Sequence, residues 1–101
     1  MSTKTPYQEK FINTLKQTDT TVALSGMVIN KTAQDFYLDD GTGNIRCISQ
    51  QPPTTDYIRI FGTLLPVAGE GFTIQVAFLQ DFSTVDKKLY QRIKQLLTKN
   101  S

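Results

Sequence analysis

At 101 residues the chain is long enough for one hydrophobic core and too short for two, and its 39% apolar and 20% charged residues are those of an ordinary globular domain. It has no histidine and one cysteine, which excludes an internal disulfide, a cysteine zinc site and the hydrolytic chemistry that needs an imidazole base. Neither a long apolar run nor a basic-then-apolar leader is present, so no membrane span and no signal peptide are expected, and the cytosol or nucleus is the expected compartment.

The net charge of +2 is unevenly spread. Residues 20–82 hold three basic against six acidic side chains, whereas residues 83–101 hold five basic against one acidic. An acidic body with a basic tail is a poor electrostatic footprint for a body that grips a polyanion by itself.

In chain order, Thr5-Pro6-Tyr7-Gln8 is a helix start, with threonine as cap, proline in the first turn and glutamine reaching back. Tyr7, Phe11, Ile12 and Leu15 then follow at helical spacing, so a short helix is expected to flank the body. Val22 to Ile29 reads as a strand interrupted by Gly26, the mark of a bulge or sharp bend. The stretch from Phe36 to Ile48 reads as a hairpin whose turn, Asp39-Asp40-Gly41-Thr42-Gly43, is almost fully specified. Its aspartates bond backbone two residues on, and its glycines supply positive φ. The acidic pair is read as turn chemistry in preference to a metal or acid/base site. Cys47, within the hairpin, is read as a small buried apolar residue.

Gln50-Gln51-Pro52-Pro53 is a loop, because two adjacent prolines remove amide donors. From Tyr57 to Leu64 the chain alternates, placing Ile58, Ile60, Gly62 and Leu64 on one face and Tyr57, Arg59, Phe61 and Thr63 on the other. A breaker-rich turn leads to a fifth strand in which Phe72, Ile74, Val76 and Phe78 share the buried face. Ser83-x-x-Asp86 then opens a final helix to about Thr98, whose stripe of Val85, Leu89, Tyr90, Ile93, Leu96 and Leu97 is wider than a coiled-coil seam. Pattern alone leaves two readings of that width open: a lid on the chain's own barrel, or contact with the barrel and something else.

The expected architecture is all-β, a five-stranded OB-type barrel over residues 20–82, preceded by a short helix within 1–19 and followed by an amphipathic helix within 83–101. The ordered set Val22 to Val28, Phe36-Tyr37-Leu38-Asp39-Asp40-Gly41-Thr42-Gly43, Ile45-Arg46, Tyr57-Ile58-Arg59-Ile60-Phe61-Gly62 and the terminal helix resembles the OB domains of the replication protein A middle and small subunits. It is also similar to their relatives in the telomeric CST complex and in RecQ-associated complexes. The resemblance implies a nuclear subunit of a single-stranded-DNA-binding complex, non-enzymatic and without a cofactor, metal, membrane or small-molecule substrate. It implies docking on sister OB subunits through the terminal helix, and DNA contact through the complex.

The sequence departs from the family where middle subunits stack bases on aromatics, since Ile48 and Val67 align there. Stacking contributes roughly 1–3 kcal/mol per base, so tight binding by this chain alone is not expected. Residual contact would use Tyr37 as a stacking ring, Arg46 and Arg59 on phosphates, and Lys31 in the preceding loop. The same side chains have plainer roles open to them: Tyr37, Tyr57 and Phe61 as cover for the sheet, and the arginines as partners of Asp35 or Asp56. The alternative function is an autonomous OB protein that binds single-stranded DNA or RNA.

Overall fold

The structure is a computed structural model that describes residues 7–67 and 71–99, without the side chains of Leu97 and Lys99. Strand β1 (Gln8–Glu9) and a single 3-10 turn (Ile12–Thr14) precede β2 (Thr21–Ile29), the hairpin β3 (Asp35–Asp39) and β4 (Asn44–Ile48), then β5 (Tyr57–Pro66) and β6 (Phe72–Asp81). One helix, α1 (Lys87–Lys99), ends the described chain.

Five strands close on themselves. β2 pairs antiparallel with β5 from Thr21 to Met27 and with β3 from Met27 to Ile29, so one strand serves two neighbours. It bends between them at Gly26, where an added Cβ would stand 2.3 Å from the carbonyl oxygen of Asp39. Gly62 makes the equivalent close approach on β5, with a hypothetical Cβ 2.2 Å from the Gln75 carbonyl. Only hydrogen fits at either crossing. The circuit is completed by β3 with β4, by β4 running parallel to β6, and by β6 antiparallel to β5.

Inward positions alternate as the strand period requires. Val22, Leu24, Phe36, Leu38, Ile58 and Ile60 are all at or below 2% exposure and form the centre of the core with Ile45, Cys47, Leu64 and Ile74. Burying each large aliphatic or aromatic side chain stabilises the fold by about 1.5–3 kcal/mol. Burial pushes the Cys47 thiol far above its ordinary range, as expected of an inert core residue.

The N-terminal segment departs from its helical periodicity. In place of a helix, β1 pairs parallel with Val22 and Ala23 of β2, and the chain then turns through Ile12–Thr14. Long-range bonds outweigh the local preference: the Ile12 amide donates to Asp40 Oδ2 at 2.8 Å, and the Asn13 amide to Thr42 Oγ1 at 3.2 Å. The cap residues Thr5 and Pro6 lie outside the described residues.

A second departure falls on β6. The register shifts between Phe61 and Gly62 of β5, so Ala77 is an extra residue on β6 and the alternation flips after it. Leu79 therefore packs against the core, while Phe78 is 59% exposed. In the hairpin turn only Gly41 has positive φ, and the amides of Gly41 and Thr42 donate to Asp39 Oδ1 and Asp40 Oδ1.

Candidate interaction surfaces

Helix α1 begins one turn later than Ser83 suggested, because Asp86 is itself the cap. Its Oδ1 accepts the Leu89 amide at 3.1 Å, and its carbonyl accepts the Tyr90 amide. From that start, the four-residue steps Tyr90, Lys94 and Thr98 form the face turned to the barrel, and none of the three is fully exposed.

That inward face is polar and aromatic. The Tyr90 hydroxyl donates to Glu9 Oε1, and its ring meets Phe82 edge-on at a centroid separation of 4.8 Å. Glu9 Oε1 also pairs with Arg59 Nη2 at 2.8 Å, and the Arg59 guanidinium lies 4.5 Å from the centre of the Phe61 ring. Lys94 is 2% exposed, with its ammonium 4.6 Å from the centre of the Phe11 ring. Burial lowers the Lys94 pKa against the favourable fields of Glu9 and Asp40. Burial, followed by the bond to Glu9, pushes Tyr90 up to about 12. Ala23 and Ser25 point out of the barrel yet are buried, because β1 and α1 cover that wall.

The outward face is apolar. Leu89, Ile93 and Leu96 are 55%, 45% and 66% exposed, and Lys88 and Arg92 are exposed beside them. An ordinary surface helix buries its apolar stripe; α1 leaves its stripe exposed and turns Tyr90, Lys94 and Thr98 to the barrel instead. Tyr90, grouped with the stripe by periodicity, belongs instead to the barrel contact. Val85 precedes the helix in a turn closed by its amide on the Phe82 carbonyl, and the Leu97 side chain lies outside the described residues.

Of the side chains expected to meet nucleic acid, the barrel brings two together. Tyr37 and Arg46 are directly opposed on β3 and β4, Tyr37 half-buried and Arg46 exposed. Arg46 is already engaged: its Nε and Nη2 both lie 2.8 Å from Asp35 Oδ2. Thr32 Oγ1 donates to the same carboxylate, and that bond, with Arg46 next, holds Asp35 below the usual carboxylate range. Lys31 reaches away to the Pro53 carbonyl at 3.4 Å. Arg59 stands on the other wall, because Ser25↔Arg59 is the β2–β5 register and α1 lies over it. Its place under the helix corrects the expectation that it joins Tyr37 and Arg46. Ile48 is half-buried and Val67 exposed. A groove of about 290 Å³ between the β4–β5 loop and β6 is lined by Ser49, Gln50, Gln51, Gln75, Val76, Ala77 and Leu79, none of them charged.

Glu9 and Lys94 are the residues that sequence reasoning missed. Each reads as a solvated charge in its local pattern. Only the tertiary placement of β1 under α1 brings them together.

A closed five-stranded barrel in this strand order, with the first barrel strand shared between two neighbours and a helix at the C-terminal end, is an OB-fold. Among solved structures it is similar to a chain of a replication protein A heterotrimer bound to single-stranded DNA, at a TM-score of 0.61 and 17% identity, over 78% of this chain and 70% of that one. It is similar to the telomere capping protein Ten1 of S. pombe, at 0.68 and 13%, over 95% and 99% of the two chains. A chain of the S. pombe Stn1–Ten1 complex matches at 0.70 and 13%, over 100% and 98%. No protein-family model and no curated protein sequence matches. What these structures share with this chain is the OB-fold, which extends over nearly the whole length of both S. pombe chains.

Proposed function

We propose that this protein is a small, non-enzymatic OB-fold subunit of a nuclear single-stranded-DNA-binding complex of the RPA or CST kind. It joins sister OB subunits through Leu89, Ile93 and Leu96 of α1 and adds little DNA contact of its own. One observation carries the reading: α1 is fastened to its barrel by Tyr90 and Lys94, leaving its apolar stripe turned to solvent. A stripe with three side chains each at least 45% exposed contributes little to its own fold, whereas apolar surface of this kind is what a neighbouring helix buries.

Weak autonomous DNA binding follows from the other wall. Arg46 is neutralised by Asp35, Lys31 is turned to a backbone carbonyl, and Ile48 and Val67 are aliphatic where the resemblance places stacking rings. The test is affinity purification from the native source with the wild-type chain and with Leu89→Glu/Ile93→Glu, together with anisotropy on a labelled oligonucleotide. The wild type is expected to recover a larger OB-fold subunit that the variant loses, and the isolated chain to bind the oligonucleotide no tighter than micromolar. Nanomolar binding by the chain alone, or recovery unaffected by the substitutions, would refute the proposal.

A further inference from the structure

Resting on the reading of α1 as a docking face, we infer that the partner is a helix whose own apolar stripe is flanked by carboxylates, and that a second copy of this chain is a poor occupant. The inference comes from the charges bordering the stripe. Arg92 is three residues from Leu89 and four from Leu96, and Lys88 is four from Arg92, so a cationic row runs along the solvent side of the stripe. Between Lys87 and Lys99 the helix has no acidic residue.

Two other cations of the helix are engaged by rings of the barrel side. Lys94 is buried against Phe11, and Lys87 sits 4.9 Å from the centre of the Tyr57 ring. The nearby carboxylates are committed as well: Asp86 caps the helix, and Glu9 holds Arg59 and Tyr90. Two copies packed antiparallel along the stripe would set Arg92 against Arg92. Packed parallel, the cationic row of each would face the barrel-side flank of the other, where Tyr90 and Lys94 offer no free anion. Either arrangement leaves the row unpaired. A helix with glutamate or aspartate beside its stripe pairs with it, which favours the correct partner and disfavours self-association.

The experiment uses the intact chain and two synthetic helical peptides of about 20 residues with the same leucine stripe, one flanked by glutamate and one by lysine, followed by anisotropy at about 50 mM and about 500 mM salt. The glutamate peptide is expected to bind at least tenfold tighter at low salt, with the gap narrowing to under about threefold at high salt. Lys88→Glu/Arg92→Glu should invert the preference, and Leu89→Gln/Ile93→Gln should abolish both interactions. Equal affinity for the two peptides overturns the acidic-partner inference and leaves the docking face standing. Binding of neither peptide overturns the docking face and this inference with it. A tight self-dimer lost in Leu89→Gln/Ile93→Gln overturns the exclusion of a second copy.

Discussion

Replacing Glu9 with glutamine removes the anion beneath α1 while keeping the side chain's length and an acceptor for Tyr90. The Glu9–Arg59 pair at 2.8 Å attracts by about 6 kcal/mol before desolvation, at an effective dielectric of about 20. Desolvation and solvent screening offset much of this, since the two side chains keep 21% and 24% exposure. After the substitution, Arg59 would remain as a partly covered cation without its carboxylate, and the buried Lys94 would lose the favourable field of Glu9. Breaking a buried pair from one side costs about 3–5 kcal/mol, and the partial exposure here reduces the expectation to about 2–3 kcal/mol. Urea unfolding followed by circular dichroism measures it as a lower midpoint with an unchanged slope. The double variant Glu9→Gln/Arg59→Met should recover at least half of the loss, because it also removes the stranded cation. A single-variant change below about 0.5 kcal/mol would refute the claim that this carboxylate anchors the helix.

The other predictions concern pH, strand crossing and the N-terminal anchor. Tyr90 titrates near 12 in the fold and near 10 when unfolded, so its contribution is intact below pH 10 and is lost between pH 10 and 12. With a discount for its partial exposure the loss is about 1–2 kcal/mol, and Tyr90→Phe should flatten that limb of a stability–pH curve. Lys94 acts in the opposite sense: its lowered pKa makes stability rise as pH climbs towards its unfolded value of 10.5, and Lys94→Met should remove that rise. An alkaline limb identical in wild type and Tyr90→Phe would contradict the first assignment. Gly26→Ala should cost about 3 kcal/mol or more because its Cβ meets backbone, whereas Gly41→Ala, strained at φ 89° but sterically open, should cost about 1 kcal/mol. Comparable urea midpoints for the two would deny the close strand approach. Asp40→Ala strands the Ile12 amide and should cost about 1–3 kcal/mol, with faster hydrogen exchange at Ile12; unchanged exchange there would deny the anchor.

The barrel was legible because its signals are local. The Asp-Asp-Gly turn, the glycine in β2 and the period-two alternation of β5 are properties of a few adjacent residues, and the structure places Ile58, Ile60 and Leu64 inward as the alternation requires. What failed was decided by distant partners. The helical spacing of Tyr7, Phe11 and Leu15 yields to an aspartate 28 residues away, and the alternation of β6 yields to one extra residue that only the pairing with β5 reveals. The stripe on the final helix was visible, but periodicity could not say which way it faces. That depends on Glu9, which lies 81 residues before Tyr90 in sequence and accepts its hydroxyl in space.

The most direct test of the account is the unfolding free energy of Leu89→Gln/Ile93→Gln, since glutamine keeps helix propensity while removing the apolar stripe. Side chains exposed by 55% and 45% that play no part in the chain's own core should leave stability within about 0.5 kcal/mol of wild type. A loss of about 2 kcal/mol or more would mean that the stripe is buried against its own barrel, and the docking face would be contradicted.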